Sequence, residues 1–270
     1  MSHLNKMLTV EKAAKTFNPD SVNEVQALRG VDLNVNGGEF ITVIGSNGAG
    51  KSTFLNSIAG TFMLSSGKIS IAGNDVTRWP EHKRAANLGR VFQDPLLGTC
   101  GSLSIEQNMA LALKRGKRRG LGLGVKARDR ELFREQLATL GLGLEDRLAD
   151  QVGLLSGGQR QALTMLMATM TRPDILLLDE HTAALDPKTG RKILDITDAV
   201  VHRDNLTTLM VTHNMNQAIN MGDRLIMFHQ GMIILDISGK EKKGLKVEDL
   251  LDRFYSLRGE DVATDRMLFS

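Results

Sequence analysis

Sulfur chemistry is almost missing from this chain: a single cysteine, Cys100, stands among 270 residues. An internal disulfide is therefore excluded, and the composition suits a reducing compartment. Aromatic residues amount to 4%, with one Trp and one Tyr, which leaves few platforms for stacking bases. The formal net charge of +3 is too small an excess to point to nucleic acid as a partner. No apolar run approaches the roughly 20 residues of a membrane span. Met1-Ser2-His3 leads into a mixed polar and apolar segment, unlike a secretory leader. Any work at a membrane is then expected to run through partners. At this length the chain is able to bury roughly three quarters of its unfolded surface, as one large domain or two small ones.

What the chain does have is a glycine-rich turn with a lysine in register, GSNGAGKST at Gly45 to Thr53. Gly45, Gly50, Lys51 and Ser52 fit a phosphate-binding loop pattern. The preceding run Phe40 to Ile44 is β-branched and predicts a strand, and Thr53 to Ala59 predicts a helix. Such a loop curls so that backbone amides of Ser46, Asn47, Gly48, Ala49 and Gly50 face a phosphate chain, at the positive end of the following helix dipole. Lys51 then supplies a full charge to the β- and γ-phosphates, Ser52 a hydroxyl to the bridging magnesium, and Thr53 closes the cradle.

Before this loop, Lys6 to Ala13 and Ala27 to Val35 alternate as half-buried antiparallel strands do, and Gly67 to Gly73 continues their sheet. Phe17, expected in a polar turn, has two open readings: a platform for an adenine ring, or a buried anchor. Further on, a strand is expected to end on Gln93, where a polar side chain beside a nucleotide is placed to sense magnesium or attacking water. A solvated strand end is the plainer reading. Leu103 to Leu113 and Lys126 to Leu140 carry apolar residues at helical spacing. Between them the basic run at 114–120 reads as a solvated charge run ahead of a lipid-facing one.

Ser156 is a good N-cap for an apolar helix that stops before Pro173, and Gly157 and Gly158 are expected to leave its first-turn amides uncovered. That end is an anion site in prospect. Pro173 to Glu180 reads as a dry parallel strand ending in two acids. Asp179 is placed to hold magnesium, and Glu180 to polarise water. Thr207 to His213 repeats the pattern, a strand ending on an ionisable residue.

Taken together, these motifs resemble the nucleotide-binding ATPase subunit of an ABC transporter, over about residues 6 to 238. Gly45 to Thr53 resembles its Walker A loop, Gln93 its Q-loop, Leu155 to Gln159 its signature, and Ile175 to Asp179 its Walker B strand. Glu180 is similar to the catalytic carboxylate, Ala184 to Asp186 to the D-loop, and His213 to the switch histidine. The resemblance implies an α/β fold: a P-loop NTPase (RecA-like) core sheet, an N-terminal antiparallel β subdomain, and an α-helical subdomain inserted at about 96–165. Residues 239–270 would form a short amphipathic tail.

The resemblance further implies ATP and Mg2+ as cofactors. Lys51, Gln93, Glu180 and His213 would serve the chemistry, and Ser52, Gln93 and Asp179 the metal. Two copies would pack head to tail, with Ser156, Gly157, Gly158, Gln159 and Asp186 of one closing on nucleotide held by Lys51 of the other. Integral membrane permease subunits and an extracytoplasmic solute-binding protein would complete an importer, with this subunit peripheral on the cytoplasmic side of the inner membrane. The family commonly has a proline after the catalytic glutamate, where this chain has His181. That departure leaves the chemistry intact and the stiffness of the loop open, and it is similar to a subgroup associated with amino-acid-like solutes. The alternative is a soluble ABC-type ATPase acting on ribosomes or nucleic acid.

Overall fold

The computed structural model describes residues 6–117 and 124–258. In chain order the first half comprises β1 (Lys6–Phe17), β2 (Val25–Asn36), β3 (Phe40–Gly45), α1 (Lys51–Ala59), β4 (Ser66–Ile71), β5 (Asn74–Asp75), α2 (Glu81–Arg84), β6 (Leu88–Val91), α3 (Ile105–Leu113) and α4 (Ala127–Ala138). The second half comprises α5 (Gly157–Thr169), β7 (Ile175–Asp179), α6 (Pro187–Asp204), β8 (Thr207–Val211), α7 (Met215–Asn220), β9 (Arg224–His229), β10 (Met232–Ser238), α8 (Gly239–Lys243) and α9 (Val247–Arg258). Contacts divide the chain into two compact units, Met1–Glu81 with Thr207–Ser270, and His82–Leu206.

In the first unit, β1 is flanked by antiparallel neighbours, with Val10 opposite Leu33 of β2 and Ile69 of β4. Its alternation buries Leu8 and Val10 while Thr9 is only half-buried, as a sheet with one wet face requires. β3 behaves differently. All of its residues are buried; parallel neighbours pair along both of its edges, with Val43 opposite Val211 of β8 and Ile226 of β9, and such strands are covered on both faces. The hairpin of β9 and β10 closes this edge around Gln230 and Gly231. Described residues beyond β10 belong to this core. Leu245, Leu250 and Phe254 join Ile44, Met215, Ala218, Leu225, Met227 and Ile237 in one apolar cluster.

Lys242, within the lysine-rich run Lys240 to Lys243, is also drawn inside. It is 2% exposed, and its Nζ donates to Gly222 O at 3.0 Å, to Thr42 Oγ1 at 3.4 Å and to Met221 O.

In the second unit, β6 runs parallel to β7, with Val91 opposite Leu178. Ile175 to Leu178 are fully buried. The helices share one core in which Ile105 and Met109 of α3 meet Phe133 and Leu137 of α4, Leu163 and Leu166 of α5, and Ile193 of α6. α3 starts two residues later than its apolar spacing predicts, because Ser104 and Gln107 form a capping box. Within the basic run at 114–120, residues 118–120 lie outside the described residues. Arg115 is engaged: its Nη2 donates to Ala168 O and Thr171 Oγ1, both at 2.7 Å.

Candidate functional site

The phosphate loop is held in the first unit by close backbone approach. A β-carbon on Gly45 would stand 2.3 Å from Phe228 O, so only glycine lets β3 end this near to β9. Gly50, at φ +104, starts α1 without a capping side chain. The base of the loop is pinned by Gly231 N donating to Ala49 O at 2.9 Å, while Asn47 and Gly48 at its tip are exposed. Lys51 folds back into this turn, 6% exposed, and its Nζ donates to Gly45 O at 2.7 Å and Ser46 O at 3.0 Å. An ammonium gripped by loop carbonyls, beside a helix start that no side chain caps, suits a polyphosphate. Ser52 is exposed and Thr53 half-buried on the first turn of α1.

Phe17 is the last residue of β1, not part of the turn that follows. It is half-buried and meets Phe62 edge to face at 5.2 Å. Lys15 Nζ lies over both rings, at 5.1 and 5.3 Å. His213 does not end a strand either: β8 stops at Val211, where its pairing with β3 stops. The histidine is exposed in the turn before α7. That turn is fixed by Asn214 N donating to Thr212 Oγ1 at 3.1 Å, and by Asn214 capping Gln217 N at 3.1 Å.

The remaining candidates lie in the second unit. Gln93 is exposed two residues beyond β6, which ends at Val91 against Leu178. Asp179 is the half-buried last residue of β7. Glu180 falls past the strand, in the left-handed region at φ +44, a conformation uncommon for a residue with a β-carbon. His181 is 2% exposed and lies 3.0 Å from Thr197 Oγ1. Burial pushes its pKa down to about 4, which keeps the ring neutral at ordinary pH. Asp186 caps α6 by accepting from Thr189 N at 3.0 Å, and hydrogen bonds from Thr189 hold its carboxyl below the usual range.

Ser156 caps α5, but not with every first-turn amide uncovered. Gln159 N donates to Ser156 Oγ at 3.2 Å while Ser156 N donates to Gln159 Oε1 at 3.2 Å, a reciprocal box that occupies the third amide of the helix. Ser156 and Gly157 are exposed, and Gly158 is buried. The loop in front is tied down by Arg160, which donates to the carbonyls of Val152, Gly153 and Leu155.

One residue missed in the sequence links two motifs. Gln161, 1% exposed, donates through Nε2 to Phe92 O at 3.2 Å, one residue before Gln93. Its Oε1 is buried with no hydrogen-bond partner among the described residues. The signal available was its place in the run Ser156 to Gln161.

Among the described residues, no group of three or more His, Cys, Asp or Glu is placed to hold a metal ion unaided. One carboxylate and one hydroxyl instead suit magnesium, which keeps most of its shell from phosphates and water. No helix among them is long and apolar enough to cross a membrane.

Residues 28–183 match the family model described as ABC transporter. The tyrosine transport ATP-binding protein of Clostridioides difficile (strain R20291) is 44% identical over 249 residues, spanning 92% of this chain and 98% of that protein. The methionine import ATP-binding protein MetN 1 of Bacillus licheniformis is 34% identical over 233 residues, 84% of this chain and 66% of that protein. Among solved structures, the dimeric ATP-binding cassette MJ0796 in a post-hydrolysis state with ADP and Pi aligns with a TM-score of 0.74 at 30% identity. The alignment covers 86% of this chain and 98% of that one. At that identity and coverage the chain belongs to the ABC transporter family, as an ATP-binding subunit that hydrolyses ATP on an α/β fold of the P-loop NTPase type.

Proposed function

We propose that this ATPase powers solute uptake through separate permease subunits, working as a head-to-tail pair on the cytoplasmic face of the inner membrane. The observation that carries the nucleotide half of this reading is Lys51, buried and bound to the carbonyls of Gly45 and Ser46 inside its own loop. There the ammonium is pre-positioned for phosphate oxygens and loses little freedom on binding. The amides from Ser46 to Thr53 hold the rest of the triphosphate, and Phe17 faces the adenine. Ser52 and Asp179, with Gln93, would hold a magnesium ion, which when bound neutralises charge on the β- and γ-phosphate oxygens.

Glu180 accepts the proton of the attacking water, and His213 contacts the γ-phosphate. Ser156, with Gly157, Gly158 and Gln159, closes from a second copy over that phosphate, and Asp186 lies at the same junction. Because this helix start gains its anion only when nucleotide is present, closure follows binding and reopening follows hydrolysis. The relatives named for tyrosine transport and methionine import support an importer with an amino-acid-like solute, and an extracytoplasmic solute-binding protein would complete such a system. They do not favour an ATPase acting on ribosomes or nucleic acid.

Replacing Glu180 by Gln tests the mechanism. The variant is expected to bind ATP at wild-type affinity, lose turnover by a factor of about 100 or more, and elute as a dimer when ATP is present. Normal turnover would remove Glu180 from its role, and a monomer at every nucleotide concentration would end the shared-nucleotide reading. Labelled tyrosine uptake by cells with and without the gene tests the solute, and equal uptake would sink that assignment.

A further inference from the structure

Directly after Glu180 the chain buries an imidazole, in the loop whose stiffness the missing proline left open. His181 is 2% exposed and Thr197, in the middle of α6, is fully buried. Their hydrogen bond, 3.0 Å between Nε2 and Oγ1, has a direction that can be worked out. The Thr197 hydroxyl has one proton, and it lies 2.8 Å from Ile193 O, which can only accept. The ring nitrogen must therefore be the donor, so His181 is held as its Nε2–H tautomer.

The segment from Glu180 to Asp186 is thus fastened at both ends to one helix. At its start His181 is bonded to Thr197, and at its finish Asp186 caps α6 through Thr189 N. In between, Ala183 N donates to Glu180 O at 2.9 Å and Leu185 N to Thr182 O at 3.2 Å. Glu180 itself sits at φ +44. A left-handed backbone at a residue with a β-carbon persists only where its surroundings impose it. The bond from the adjacent ring to a buried helix position is such an imposition.

We propose that His181 is a positioning residue for Glu180: its Nε2–H bond to Thr197 anchors the strained backbone from which the Glu180 carboxylate is presented. This rests on the reading of Glu180 as the proton acceptor. It also answers the question left by the missing proline, since the rigidity that a pyrrolidine ring would give by fixing φ comes here from a buried hydrogen bond.

The test uses the full-length protein, with ATP turnover, KM and nucleotide Kd measured alongside melting temperature. Thr197→Val and His181→Leu remove the bond and are expected to lower kcat about 10- to 100-fold, the scale of a small misplacement of a reacting group. ATP Kd should stay within about twofold of wild type, since the nucleotide-binding loop is untouched. Thr197→Ser keeps the hydroxyl and His181→Gln places an amide N–H near the former Nε2, so both are expected to recover most of the turnover. They also keep the measurement informative if the first pair folds poorly.

In a Glu180→Gln background, Thr197→Val is expected to cause no further loss, because the two changes act through one group. Full kcat in Thr197→Val with Glu180→Gln inactive overturns the positioning role alone. An equal loss from Thr197→Val in both backgrounds does the same, because the effect would then bypass the carboxylate. Normal turnover in Glu180→Gln overturns the underlying reading and this inference with it.

Discussion

Gly158 and Thr189 are packed so closely that a β-carbon on the glycine would stand 2.2 Å from the threonine Cγ2. The first turn of α5 is thereby set against the first turn of α6, whose start Asp186 fixes. Glycine is needed at 158 for space and not for backbone freedom. Gly158→Ala is expected to push these helix starts apart at a cost of about 1–3 kcal/mol, the scale of overpacking, and to lower ATP turnover with it. Adding Thr189→Ser deletes the obstructing methyl and should restore turnover. Wild-type turnover in the single variant, or none regained in the double, would refute the account.

The Phe17 and Phe62 rings form an edge-to-face pair 5.2 Å apart. If one face of Phe17 meets the adenine, Phe17→Ala should weaken ATP binding by about 1–3 kcal/mol, read by titration with a fluorescent nucleotide. Phe62→Ala, which removes only the supporting ring, should weaken it by less. An unchanged dissociation constant in Phe17→Ala would return that ring to a packing role.

Gln161 holds Phe92 O and so connects α5 to the residue before Gln93. Replacing it by Leu deletes a hydrogen bond, but also deletes a buried acceptor that has no partner among the described residues. The stability loss should therefore be small, about 1 kcal/mol, while turnover falls more steeply. Chemical denaturation beside steady-state ATPase rates separates the two effects. Turnover that tracks stability alone would make Gln161 a packing residue.

Lys242 gives the first unit a pH dependence. Burial pushes its pKa from 10.5 down to about 8, against a smaller upward pull from Asp223. The folded chain therefore favours the neutral amine, and the cost of enclosing the ammonium is fully present below about pH 8 and relieved as pH rises toward 10.5. Stability should climb across that window, with a slope of up to about 1.4 kcal/mol per pH unit. Lys242→Met removes the titrating group. The difference between the two denaturation curves, measured from pH 7 to 10.5, should carry this slope, and a flat difference would show that the amine does not titrate there.

The parts of the fold that could be read from the sequence are those encoded locally. An apolar run and a glycine turn mark β3 and its loop, Ser156 before two glycines marks the start of α5, and four apolar residues before Asp179 mark β7. Strand ends were not legible to that accuracy. Gln93 and His213 fall beyond their strands because β6 and β8 stop where their pairing with β7 and β3 stops, at Val91 and Val211. Composition carries no trace of that pairing. Partners distant in sequence were hidden for the same reason, as with Phe62 for Phe17 or Thr197 for His181. Lys242 was concealed differently, since a lysine-rich run signals solvent unless carbonyls are waiting for the amine.

The first unit is assembled from both ends of the chain, whereas the second is continuous from His82 to Leu206. During synthesis from the amino terminus, β3 emerges with its nucleotide loop long before β8 and β9 exist to flank it, and before Leu250 and Phe254 arrive to cover Ile44. The intervening unit is finished first, and the nascent chain meanwhile carries an apolar strand with both edges open. Such an interval leaves β3 open to self-association until β8 and β9 pair along its two edges.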